Sequence, residues 1–224
     1  MNQLRRYRTG RSLSQSALAL ELGVTQAYVS QVESGARPIS RELAERLGTL
    51  PGLPASVIPA GHAEVDDADA DLAAETGALG YPPFAAAAGA RPRNPAAVIV
   101  AILGRRQVAP SVMAAVPWLL LSNAEIDATW LIDQVRLRNL QNRLGFLTDL
   151  AIDLAQSAFA IEDAHLEALR ALRASLEESR LANEGTLARV LTSTERQFFE
   201  EHRSAAARHW HLLTGLTAAQ LPYR

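Results

Sequence analysis

The stretch that most constrains this chain is residues 14–38, SQSALALELGVTQAYVSQVESGARP, because its helix stops and starts are spelled out residue by residue. Ser14 is a good N-cap, and Ala17, Leu18 and Leu22 recur behind it at helical spacing. Gly23 ends that helix, as a left-handed C-terminal residue does. Val24 is a turn residue with a buried character, and Thr25 can cap a second helix. On the second helix Val29 and Val32 point one way, while Gln26, Ala27, Ser30 and Gln31 point another, and Gly35 ends it. Two short helices joined by a tight glycine turn, the second with a polar outer face, predict a helix-turn-helix.

Periodicity alone does not make this a DNA-binding unit, since many helical proteins contain such a pair, so the residue identities carry the function. Ser14-Gln15 opens the first of these helices, Leu18-Ala19 lies within it, and Gly23-Val24-Thr25 forms the turn. Val29-Ser30-x-Val32-Glu33-x-Gly35 and Pro38 follow. With these motifs, residues 3–48 resemble the Cro/C1-type (Xre) helix-turn-helix family of transcriptional regulators. The resemblance implies a first helix around Leu4–Arg8 packed across the other two, with an ion pair between Arg8 and Glu33. It also implies that Gln15, at a helix N-terminus, holds a phosphate. Gln26 and Ala27 are carried over as base contacts, with Thr25 beside them and Ser30 and Gln31 deeper along the groove. The chemistry suits this role, because Gln pairs bidentately with adenine and an Ala methyl meets a thymine methyl. Tyr28 either packs its ring at the domain edge or turns its hydroxyl to a phosphate. Arg37 is a phosphate contact or a solvated loop arginine.

Charge supports a division of labour. All 22 basic side chains are arginine, and the net charge is −2. Residues 1–50 carry seven Arg and four Glu, a charge of +3, so the remainder carries −5. A basic head on an acidic body fits a DNA-reading module attached to something else. There are no cysteines, hence no disulfide and no thiolate metal site. The longest apolar runs, Ala96–Leu103 and Val112–Leu121, fall short of the ~20 residues that cross a bilayer. With no signal-peptide pattern at the start, a cytoplasmic location is expected.

Beyond the head, Ser40 caps a helix over Arg41–Leu47 whose Leu43, Ala44 and Leu47 close a small core. Pro51, Pro54 and Pro59 leave room for one further turn at most. Residues 51–93 read as a Pro-, Ala- and acid-rich linker. Six acids fall between Glu64 and Glu75, a short helix fits over Asp67–Thr76, and Tyr81-Pro-Pro-Phe84 can serve as an anchor. A helical domain over residues 94–224 starts at Asn94-Pro95. Helices are expected at the apolar Ala96–Leu103, after a Ser111 cap, and after Asn123 or Asp127 with Trp130, Leu131 and Val135 inward. Further helices follow along the stripe Leu140, Leu144, Leu147, Leu150, Leu154 and Ala158, over Glu162–Leu181, and over 186–191 and 195–213. Gly145 inside the stripe either kinks the helix or admits a neighbour. No strand pair and no repeat is evident, so the fold class is all-α.

Catalytic motifs are missing: no P-loop lysine, no G-x-S-x-G and no H-E-x-x-H, and no cofactor is expected. His202, His209 and His211 lie on different helical faces or about 10 Å apart, which opposes a shared metal. Arg136, Arg138, Asn139, Gln141, Asn142 and Arg143 form a dense polar run beside the apolar stripe, the favoured place for a protein partner to dock. Pro117-Trp-Leu-Leu-Leu121 together with Asn139–Leu147 resembles the C-terminal part of regulators from toxin–antitoxin operons. The expected function is a homodimeric repressor of a double-stranded DNA operator that doubles as the antitoxin of a cognate toxin. The alternative is a regulator controlled by a small molecule in the helical domain, and an enzyme with an appended DNA module comes third.

Overall fold

Each stop and start of the opening stretch becomes a cap in the structure, a computed structural model that describes residues 3–62, 71–87 and 92–222. Helix α1 spans Gln3–Gly10, α2 Gln15–Leu22, α3 Gln26–Glu33 and α4 Arg41–Leu47. Ser14, Thr25 and Ser40 are the N-caps of α2, α3 and α4, each side-chain oxygen accepting a first-turn N–H. Such a cap stabilises a helix by about 1 kcal/mol. Gly23 takes the left-handed conformation (φ 62°) and lies under Arg46, whose guanidinium donates to the carbonyls of Leu22 and Gly23 at 2.8 Å. Glycine meets two needs there, a positive φ and room for the guanidinium.

Leu4, Leu18, Leu22, Val29, Val32, Leu43 and Leu47 form the core of this head. One position differs from expectation: Ala17 is exposed and Ala19 takes its buried place. A three-residue 3-10 turn, Ala55–Val57, follows α4 and buries Val57 in the same core, and a second covers Ala60–His62.

The linker expected over 51–93 is not a solvated one where it is described. Its acids Glu64, Asp66, Asp67 and Asp69 lie outside the described residues. Asp71, however, caps α5 (Leu72–Ala78), and Glu75 is buried against Arg93 at 2.7 Å. The Tyr81–Phe84 anchor goes deeper than a surface clip. Tyr81 is fully buried between Phe84 and Trp118, with ring centroids 5.6 Å apart in both pairs. Burial pushes its phenol up to about 12. The proline-rich composition had masked these apolar residues, which belong to the larger core.

That core is built around α6 (Pro95–Gly104), in which Pro95 through Leu103 are all buried. Asn94 caps α6 through its Oδ1, while its Nδ2 donates to the Ile58 carbonyl at 2.6 Å, so one side chain joins the end of the head to the central helix. Around α6 lie α7 (Pro110–Met113), α8 (Ala115–Ser122), α9 (Ala128–Leu137), α10 (Gln141–Ser157) and α11 (Asp163–Glu177). Ser111 is not a cap; Pro110 occupies the first position of α7 and Ala109 precedes it. Pro117 sits in the first turn of α8, where its missing N–H leaves no bond unmade. Asp127, not Asn123, caps α9.

Past α11 the helical expectation fails twice. Thr186 ends a two-residue strand and residues 187–191 are irregular, and 195–213 divides into α12 (Ser193–His202) and α13 (Ala205–His209). A two-residue parallel pair then joins β1 (Gly185–Thr186) to β2 (Leu212–Leu213), with Gly185 opposite Leu212. Trp210, between α13 and β2, enters the core and lies flat against Gly145 of α10, where a methyl group would overlap the indole. Gly145 therefore admits a neighbour. The Trp210 indole N–H donates to Asp149 at 2.6 Å. The molecule is all-α apart from the β1–β2 pair among the described residues.

Candidate nucleic-acid interface

Helix α3 buries Val29, Val32 and Glu33 and turns its other face outward. Gln26, Ala27 and Gln31 are exposed and Ser30 is half-exposed, all on one outward strip of two turns. Thr25 accepts the Tyr28 N–H at 3.2 Å, which leaves its hydroxyl proton available. The Tyr28 ring leans on the head core and its hydroxyl accepts the Ser40 N–H at 3.3 Å. Arg37 stacks over the same ring, its guanidinium carbon 4.6 Å from the centroid. Tyr28 thus packs, retains a proton to donate, and holds Arg37 at the rim of the strip, an arrangement favourable by about 0.5–1 kcal/mol at exposed sites.

Behind the strip runs a continuous hydrogen-bonded chain. Arg8 grips Glu33 with two parallel bonds, Nε to Oε1 at 2.6 Å and Nη2 to Oε2 at 2.9 Å. Gln15 Nε2 donates to Glu33 Oε2 at 2.9 Å, and Gln26 Nε2 donates to Gln15 Oε1 at 2.7 Å. The Arg8–Glu33 pair implied by resemblance is therefore present and buried, the Glu33 side chain being only 3% exposed. Burial would raise the Glu33 carboxyl, but the bonds from Arg8 and Gln15 and the charges of Arg8 and Arg5 prevail and hold it below its ordinary value of 4.5. Sequence reasoning found the pair but not its continuation to Gln15 and Gln26, because nothing in the spacing says that a residue of α2 bridges two residues of α3.

The basic charge of the head is more committed than its count suggests. Arg6 pairs with Glu125 of the body, Arg11 with Glu21, Arg41 with Glu45, and Arg46 caps α2. Arg37 on Tyr28 and the exposed Arg5 remain positioned for an anion.

The polar run on the body is internal at its C-terminal half. Gln141 and Asn142 are buried, at 4% and 5% exposure. Gln141 donates to the Ser179 carbonyl, and Asn142 both donates to and accepts from the backbone of Leu181 at 2.9 and 2.8 Å. Arg143 donates to the carbonyls of Thr186 and Leu103, and burial lowers its pKa. Arg136 binds Ser175 and Ser179, Arg138 binds Gln134, and Asn139 turns the chain between α9 and α10 at φ 55°. Gln141, Asn142 and Arg143 thus satisfy backbone groups of Leu103 and of residues 179–186, which have little secondary structure of their own to do so, while Arg136 and Asn139 are exposed. Of the three C-terminal histidines, His202 meets the Phe198 carbonyl, His209 meets Glu177 and His211 meets Arg180, which is itself paired with Glu177.

The helix-turn-helix family model matches residues 4–58, ten residues beyond the stretch whose motifs carry the resemblance and including the turn that buries Val57. No curated protein and no solved structure matches the chain. The head is a helix-turn-helix domain of the Cro/C1 type, the DNA-binding module of transcriptional regulators. Among the described residues no helix is long and apolar enough to cross a membrane.

Proposed function

We propose that this protein is a sequence-specific transcriptional repressor that binds operator DNA as a homodimer and acts in the cytoplasm. Helix α3 lies in the major groove, where Gln26, Ala27, Ser30 and Gln31 read bases. Thr25, Tyr28 and Arg37 hold the flanking phosphates, as does Gln15 at the N-terminus of α2. The observation that carries this reading is the outward strip of α3 with Gln15 and Gln26 bonded at its head, each keeping an amide proton beyond that bond. One small head buries too little surface for operator affinity, so the helical body pairs two heads on half-sites about one turn (~34 Å) apart. Selection from a pool of randomised duplexes tests it directly. The wild-type chain should recover a two-fold symmetric site, and Gln26→Ala should lose ~1–3 kcal/mol on that site and preference at one base pair per half. Recovery of an unordered set of sequences by the wild-type chain ends the proposal.

The body serves a protein partner, as an antitoxin does its toxin. Leu137, Val190 and Phe198 stay exposed on it, while its interior is filled around Trp210. The cavity beside His165 and Leu172 measures about 30 Å³, space for one water. Small-molecule control draws its support from an open cleft of about 330 Å³ at Leu72, Arg105 and Val112, near the lower end of the ~300–1,000 Å³ typical of ligand sites. Co-expression with the product of the adjacent gene separates the two. Relief of that product's toxicity by this chain supports the antitoxin role, and persistent toxicity removes it.

A further inference from the structure

The head is fastened to the body both through α1 and through the turns that follow α4. On α1, Gln3 Nε2 donates to the Glu125 carbonyl at 3.0 Å, Arg6 pairs with the Glu125 carboxylate, and Gln3 Oε1 is closed off from solvent. Glu125 stands on the short loop between α8 and α9, and that loop is itself braced. Asn123 donates to the Leu119 carbonyl at 2.9 Å, Ile126 packs on the larger core, and Asp127 caps α9. In the turns after α4, Val57 is buried in the core of the head, and Ala60, three residues on, is buried in that of the body. Asn94 grips the same turns through the Ile58 carbonyl at 2.6 Å, and Gly61 lies against the Trp130 indole.

A domain joined to its neighbour through one connection swivels on it, and motion between domains is the default. A domain held through two different elements has lost that axis. The clasp on α1 is half-exposed, and an ion pair of this kind adds only about 0–1 kcal/mol to stability, so its consequence is orientation. A two-fold dimer of such chains presents its α3 helices at one separation and one rotation. Each base pair added between half-sites shifts one of them by ~3.4 Å and turns it by roughly 35° about the DNA axis, which a mounted head cannot follow.

We propose that the body sets the spacing between operator half-sites by holding each head in one orientation, with Gln3, Arg6 and Glu125 as the residues that stop it from swivelling about the turns 55–62. They are positioning residues that touch no DNA in this scheme, and they govern spacing and not base preference. The inference rests on the dimeric operator binding proposed above.

The test uses the full chain and three duplexes: the site recovered by selection, and the same half-sites with one base pair inserted or removed between them. Wild type should lose roughly 10²- to 10⁴-fold in affinity on the altered duplexes, the avidity forfeited when both heads cannot engage at once. The double variant Gln3→Ala/Glu125→Ala, which alters no core residue, should lose less than about tenfold on them. Glu125→Arg should relax the spacing too, and adding Arg6→Glu, which restores the pair with its charges exchanged, should bring the penalty back. If wild type binds all three duplexes alike, the head is not held and the proposal is wrong. It is equally wrong if Gln3→Ala/Glu125→Ala weakens all three by one factor and keeps the penalty, since these residues then serve stability alone. Selection that recovers lone half-sites removes the dimer itself and the spacing claim with it, a result distinct from the other two because no two-fold site exists to be altered.

Discussion

The head and the body spend the same side chains in opposite ways. In the head, glutamines are bonded to one another and to a buried carboxylate, and the chain ends at the surface with a donor and an acceptor to offer. In the body, Gln141, Asn142 and Arg143 are bonded inward to carbonyls and an N–H of residues 103 and 179–186. The difference follows from what surrounds each. The head is made of capped helices whose backbone groups are already paired, so polar side chains on its outer face are left over for a ligand. The segment 178–192 of the body has a two-residue strand and little else, and its buried backbone needs side-chain partners. A dense polar run therefore marks a site in one place and a scaffold in the other.

The comparison can be pressed from both sides. The largest effect is expected at Arg8→Ala, which leaves the Glu33 carboxylate buried without its partner and should cost ~3–5 kcal/mol in denaturant unfolding. It should abolish DNA binding with it, and a loss under 1 kcal/mol would mean that the pair is not structural. In the body, Gly145→Ala should displace Trp210 and cost roughly 1–3 kcal/mol, seen in thermal unfolding and in the tryptophan fluorescence. Asn142→Ala should cost about 1–3 kcal/mol by stranding both backbone groups of Leu181, while base preference stays as in wild type. A changed base preference there would return the polar run to a binding role. The smallest effect is that of pH. Glu33 holds its proton less tightly folded than unfolded, so its contribution is complete above the unfolded value, near 4.5, and is lost as pH falls below it toward the lower folded value. Stability of the wild-type chain should decline in that range more steeply than that of Glu33→Gln, and parallel profiles would show that the carboxylate is not coupled to folding.

The sequence by itself determined the head nearly in full. Caps, glycine turns and valine spacing are local signals, decided within a few residues by hydrogen bonds that the chain makes to itself, and Ser14, Gly23, Thr25 and Ser40 act as they read. It also determined that Ala96–Leu103 lies at the centre of a core, since eight consecutive apolar residues have no other stable place. What only the tertiary structure decided are pairings across long separations. Trp210 meets Gly145 and Asp149, Tyr81 meets Trp118, and Asn142 meets Leu181. A partner 37 to 65 residues away leaves no periodicity in the intervening sequence, so a buried polar residue and an exposed one look alike there. The direction of the Gln15–Gln26 chain is of this kind as well. Both glutamines are plain in the sequence, but the order of their bonds is set by a carboxylate that only folding brings beside them.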